Sequence, residues 1–219
     1  MSVAILYAYY ENKFSKENTM SFLNNTVMKD TYHIYINVNR KSSVDFSKYN
    51  NITNIFYNNY TNAYLSWKHI LNEININEYE NFIFLKDKTL FNVKTDWINM
   101  LIRNINDKIK IVGPFMGFSW SDLPIIGACF FCIDKIGLKL LIDHYIFNSY
   151  IKKGLKHKSP EYMLNRIFYD RKYGCISFGS EEHNLYEIRR INGEKNSKDI
   201  IRKIYNVDKV HSYFTLNRK

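Results

Sequence analysis

Apolar positions in this chain come in short runs, and the segments between them repeat with helical spacing. Val3 to Tyr10 is a β-prone apolar run and predicts a first strand. Phe14, Met20, Phe22, Leu23 and Val27 then fall near one face of a helix from Ser15 to Lys29. Thr31 to Asn37 predicts a second strand and Asn54 to Tyr57 a short third one. Ala63, Leu65, Trp67, Ile70, Leu71 and Ile74 put a helix over Asn62 to Ile74, ahead of a strand ending near Leu85. Ile98, Leu101, Ile102 and Ile105 mark a helix over Trp97 to Ile105, and Gly113-Pro114 stops a strand that begins at Lys110. Strand and helix alternate in short units, which predicts a mostly parallel, doubly wound sheet.

The second half is less regular. A long loop from Phe115 to Pro124 leads into one strand over Ile125 to Ile133, and Asp134 caps a helix reaching about Phe147. Ser159-Pro160 opens a helix to Arg171, and Gly174 to Phe178 is a last strand. No repeat and no Pro/Gly/Ser linker interrupts the body. The expected organisation is one α/β domain over residues 1–180, a mostly parallel central sheet flanked by helices. Residues 181–219 then form a polar, basic extension that packs on the domain or leads to a linker.

One apolar run ends abruptly in an acid: Asn81-Phe82-Ile83-Phe84-Leu85-Lys86-Asp87-Lys88-Thr89. Ligands of open α/β sheets sit just beyond the carboxyl ends of strands. An acid there suits a divalent cation that in turn holds phosphates. Read from the strand pattern alone, the same Asp87 caps a turn.

Other phosphate-binding devices are missing. The eight glycines include no G-x-G, so the dinucleotide fingerprint fails, and no Gly-Lys-Ser/Thr marks a P-loop. The six histidines show no metal-ligand pairing, and no G-x-S-x-G elbow occurs. Phosphate binding would therefore fall to a metal on Asp87 or to Lys86, Lys88 and Arg40. The net charge of +10 suits polyanions or phosphorylated small molecules. A composition rich in Asn, Ile, Lys and Tyr, all read from A/T-rich codons, accounts for most of that charge. Cys129, Cys132 and Cys175 are an odd number, which points to a reducing compartment, and Cys129-x-x-Cys132 reads as small core residues. With no secretory apolar segment at the start and no run long enough to span a bilayer, the expected location is cytoplasmic.

The order of these segments resembles small nucleotide-sugar glycosyltransferases of the GT-A fold, found in bacterial rhamnan-type polysaccharide loci and in large DNA viruses. The resemblance rests on "ILYAYYEN", "YHIYINVN", "NNYTNAYLSWKHIL", "YENFIFLKDKTLF", "DWINMLIRNINDKIKIVGP", "GACFFCIDKIGLKLLI" and "SPEYMLNRIFYDRKYGCIS". Together they span roughly residues 3 to 178, and it is their order that carries the match. It departs at Thr61-Asn62-Ala63, where relatives commonly have Gly-x-Asp, and at Ile125-Ile126-Gly127, where many have His-x-Gln.

The resemblance implies a GT-A-like, Rossmann-like domain that transfers a sugar from a nucleotide donor, UDP-sugar by default, to a glycan or glycoprotein acceptor. It places the donor at Ala8, Tyr9, Tyr10, Asn37 and Asn39. The family's D-x-D element is reduced to Lys86-Asp87-Lys88, with Asp87 as ligand to Mn2+ or Mg2+ and the lysines sharing the diphosphate charge. Glu161 is the first candidate for general base, then Asp122, then Glu181 or Glu182, and Trp120 would stack on an acceptor sugar. His183 is a late metal or phosphate contact or part of a solvated tail. Against these stand plainer roles: first-turn dipole stabilisation for Glu161 and loop packing for Trp120. If the gene is viral, the location becomes host cytoplasm or virion. The competing readings are a non-catalytic sugar-binding domain of the same fold and a nucleic-acid-binding module; the scattered lysines argue against nucleic acid as a partner.

Overall fold

The computed structural model describes residues 1–39, 42–60, 62–118, 124–148, 160–177 and 213–216. The first run is β1 (Val3–Tyr10), followed by α1 (Ser15–Asn25), β2 (Tyr32–Asn39), β3 (Ile52–Asn58) and α2 (Ala63–Glu73). Next come β4 (Asn81–Lys86), β5 (Thr89–Phe91), α3 (Trp97–Ile102) and β6 (Ile109–Gly113). The second half holds β7 (Met116–Phe118), β8 (Pro124–Ile126), β9 (Phe130–Asp134), α4 (Lys135–Asp143), α5 (Pro160–Asp170), β10 (Gly174–Ser177) and β11 (Phe214–Leu216).

Seven strands form the central sheet in the order β10-β6-β9-β4-β1-β2-β3. β1 pairs in parallel with β2 and β4, β2 with β3, and β6 with β10; β9 alone runs antiparallel, between β4 and β6. Both faces are covered, which is why β1 and β4 read as unbroken apolar runs. Ala4, Leu6, Ala8, Phe82 and Phe84 pack on one face with Trp67 and Ile70 of α2, Leu138 of α4 and Phe168 of α5. Val3, Ile5, Tyr7, Tyr9, Ile83 and Leu85 pack on the other with Phe22 of α1 and Trp97 of α3. Among the described residues no helix is long and apolar enough to cross a membrane.

Four boundaries differ from the sequence reading. The run Ile125–Ile133 is two strands, because the chain turns at Gly127-Ala128-Cys129: the Gly127 N–H donates to the Phe115 carbonyl (2.9 Å) and the Phe130 N–H to the Gly127 carbonyl (3.3 Å). The turn stays apolar because Ala128 is itself fully buried, so hydropathy carries no mark of it. It lies so close to β6 that a Cβ on Gly113 would stand 2.3 Å from Ile126 Cγ2 and 2.8 Å from the Phe130 carbonyl oxygen. The expected loop from Phe115 contains β7, which forms a hairpin with β8. α1 ends at Asn25, and Thr26 makes a bridge to Thr95. The helix begun at Asp134, whose carboxylate accepts from the Gly137 N–H (2.8 Å) as expected of an N-cap, stops at Asp143. Tyr145 then takes φ 56°, a left-handed conformation that breaks the helix before the short turn Ile146–Asn148. Cys132 is fully buried as read, whereas Cys129 is only half-buried.

Residues 214–216 return to the body. β11 pairs antiparallel with β5, and Phe214 is 1% exposed, edge-on to Phe91, Trp97 and Phe130. Truncating a buried Phe to Ala costs roughly 3–5 kcal/mol. Phe214→Ala should lower the unfolding free energy in urea by about that much; a loss under about 1 kcal/mol would show that this strand adds little to the core.

Candidate functional site

The parallel strands end together, and their register sets out a ledge. Ala8 pairs with both Asn37 and Lys86, while Tyr10 pairs with Asn39 and Asn39 with Asn58. The donor residues expected from sequence at the ends of β1, β2 and β4 are therefore brought to one edge of the sheet. They do not all face outward. Ala8, Tyr9 and Asn37 are fully buried and Asn39 is 1% exposed, whereas Tyr10 and Lys86 are half-buried and Lys88 is exposed.

The buried carboxamides bond to one another. Asn39 Nδ2 donates to the Tyr9 carbonyl (3.0 Å) and to Ser66 Oγ (2.9 Å), and the Ser66 hydroxyl lies 3.0 Å from that of Tyr10. Asn37 Nδ2 donates to Asn39 Oδ1 (3.1 Å) and Asn58 Oδ1 (3.2 Å), and Asn58 Nδ2 donates back to Asn37 Oδ1. Such a closed network fixes side chains firmly, since each buried polar atom left unpaired would cost stability. Burial pushes the Tyr10 hydroxyl up to about 12, so it stays neutral at pH 7. Asn37 and Asn39 thus form the floor of the ledge.

Asp87 lies just past β4 and is 2% exposed. Its Oδ2 accepts from the Tyr10 N–H (2.8 Å), from Asn12 Nδ2 (3.1 Å) and from the Ser15 hydroxyl. The Asn18 side chain holds the Asp87 carbonyl (2.9 Å). The acid thereby pins the turn between β1 and α1 to the end of β4. It is a turn-holding acid, though the turn it holds lies more than 70 residues earlier in the chain. The neighbouring acid, Glu11, is committed elsewhere, accepting from the Tyr9 hydroxyl and the Ser43 N–H (2.9 Å). Among the described residues no group of three His, Cys, Asp or Glu side chains is placed to hold a metal ion. A divalent cation at a phosphate site is commonly held by one or two carboxylates, with substrate phosphates and water completing its oxygen ligands. Asp87 supplies a single carboxylate, one oxygen of which is already shared by three donors.

Lys86 and Lys88 flank Asp87 in sequence. The Lys86 ammonium stands 5.4 Å from the Tyr64 ring centre and 5.6 Å from that of Trp67, held at the ledge by cation–π attraction. Lys88 draws the Asp87 carboxyl toward its charged form, against a larger opposing effect of burial.

Glu161 lies in the first turn of α5. Asp122 and Trp120 lie outside the described residues, as do Arg40, Glu181, Glu182 and His183. Sequence reasoning missed Asn12, Ser15, Ser66, Asn58 and the Tyr64–Trp67 platform. Ser66 left one usable signal, a small polar residue on the buried stripe of α2.

Burial raises the Asp87 carboxyl from 3.8 to about 6 despite its hydrogen bonds. Between these values the native state binds more protons than the unfolded chain. The resulting stability is full below about pH 4 and is lost as pH rises through about 6, a change on the order of 3 kcal/mol. Asp87→Asn removes the titration. In calorimetry from about pH 4 to 7, the melting-temperature difference should move steadily in favour of the variant. A flat difference would mean that Asp87 titrates like an exposed carboxylate.

No protein-family profile matches the chain, and no curated protein matches its sequence. Solved structures do. The mannosyltransferase PcManGT from Pyrobaculum calidifontis, in complex with GDP-Man and Mn2+, superposes with a TM-score of 0.56 at 9% identity, over 96% of this chain and 69% of that one. The 4-diphosphocytidyl-2C-methyl-D-erythritol synthase from Anaerococcus prevotii DSM 20548 gives 0.51 at 12% identity, over 80% of this chain and 86% of that one. At such identities the likeness is one of fold, and the fold of this chain is GT-A-like.

Proposed function

We propose that this protein is a glycosyltransferase that moves a sugar from a nucleoside-diphosphate donor, UDP-sugar first among the candidates, to a glycan or glycoprotein acceptor. The observation that carries this reading is the ledge at the carboxyl edge of β1, β2 and β4, where Ala8, Asn37 and Lys86 lie in one register row and Tyr10 and Asn39 in another. Open α/β sheets take their ligands at that edge. The fold likeness to a transferase solved with GDP-Man supports the same reading.

In such a transfer the acceptor oxygen attacks the anomeric carbon, and the bond from that carbon to the diphosphate oxygen breaks. If the transfer inverts configuration, the acceptor's proton passes to a carboxylate, for which Glu161 is the first candidate and Asp122 the second. Trp120 offers a face for an acceptor sugar. Charge gathers on the departing diphosphate and must be met by fixed cations.

The test is a transfer assay with UDP-, GDP- and dTDP-sugars, followed by Glu161→Gln. The variant should lose roughly 10²–10⁴-fold in kcat while its affinity for the nucleotide stays the same. Loss of affinity and rate together would assign Glu161 to the scaffold. If UDP, GDP and dTDP all leave the melting temperature unmoved, with and without Mn2+, the glycosyltransferase reading falls.

A further inference from the structure

Resting on the glycosyltransferase reading and its assignment of Glu161, we propose that Asn165 is a positioning residue for the acceptor side: its carboxamide fixes α5, the helix that carries Glu161, to β8. Asn165 is fully buried. Its Oδ1 accepts from the Ile126 N–H (2.8 Å) and its Nδ2 donates to the Ile126 carbonyl (3.0 Å). One carboxamide thus meets both backbone groups of one residue, as the peptide group of a neighbouring strand would. Ile126 closes β8, where it stands opposite Met116 of β7, so the clamp ties α5 to the β7–β8 hairpin.

The neighbours of Asn165 on α5 do a different job. Leu164, Ile167 and Phe168 are buried in the same core as Ile126, Ile133 and Leu138. Burial of apolar surface is non-directional, so it holds the helix against the sheet without fixing where along its own axis the helix stops. A donor and an acceptor paired on one residue do fix it, because hydrogen bonds weaken steeply with distance and angle. Glu161 lies one helical turn before Asn165 in the same helix. The backbone of Glu161 is therefore placed by the point at which Asn165 meets Ile126. A proton acceptor displaced by about 1 Å can lose on the order of 10²-fold in rate, so a clamp at this distance bears directly on transfer.

A double-mutant cycle on kcat tests this, in the full chain and with whichever of the UDP-, GDP- and dTDP-sugars it uses best. Asn165→Ala should lower kcat by about tenfold or more, while the affinity for the free nucleoside diphosphate changes by less than about twofold. In the Glu161→Gln background the same substitution should cost less than about twofold, because misplacing a base matters only while the base is there. Asn165→Asp keeps an acceptor for the Ile126 N–H and should fall between Asn165→Ala and the wild type; it takes the place of the alanine variant in the cycle if that variant does not fold. Losses that add in the two backgrounds would overturn the proposal, by assigning Asn165 to helix packing alone. An unchanged kcat in Asn165→Ala or in Glu161→Gln would overturn it too, and each of these results leaves the glycosyltransferase reading standing. Absence of transfer by the wild-type chain with every donor would overturn both.

Discussion

β1 has no solvent-facing side. It pairs with β2 and β4 along its length and is packed by side chains above and below, so each of Val3 to Tyr9 is at most 1% exposed. A strand in that position cannot carry unpaired polar chemistry along its length, since buried polar groups without partners are costly. Polar function is therefore confined to the point where the strand stops, and its parallel neighbours stop beside it. The same constraint explains why the ledge is narrow and why its residues come from segments far apart in sequence.

Within the ledge, burial and charge work against one another. Asp87 sits where desolvation disfavours a carboxylate, and three donors with a nearby lysine only partly offset that. A group in this position is costly to ionise and strongly tied, which is how an anchor behaves. Lys86 takes the contrary solution, with its stem packed and its charge held over two rings. The two neighbours in sequence thus differ: Asp87 fixes backbone geometry, and Lys86 holds its charge over the rings of Tyr64 and Trp67.

Much of the fold was legible because period and face coincide. The alternation of Ala4, Leu6 and Ala8 against Ile5, Tyr7 and Tyr9 distributes β1 to the two cores, and the stripe Ala63, Trp67, Ile70 sets the inner face of α2. The break between β8 and β9 was illegible because Ala128 is as buried as the strands it separates. The return of Phe214 was hidden for a different reason: β11 is three residues long in a largely polar stretch, too short to show a period. At the site, Asp87 stood out because an acid ended an apolar run. Its partners Asn12 and Ser15 did not, because pairing across more than 70 residues leaves no local pattern.

The strand-end asparagines show why a polar residue in the expected place is not yet a ligand contact. Asn37 and Asn39 occupy the positions where a nucleotide would be met, yet their carboxamides are engaged with Asn58, Ser66 and the Tyr9 carbonyl. Replacing these bonds with bonds to a ligand would exchange one set of buried hydrogen bonds for another, with little net gain. Their contribution is rigidity: they hold the ends of β1, β2 and β3 together, so that Tyr10 and Lys86 reach the crevice from a fixed frame. Preorganisation of that kind lowers the ordering cost of binding at the edge of the sheet.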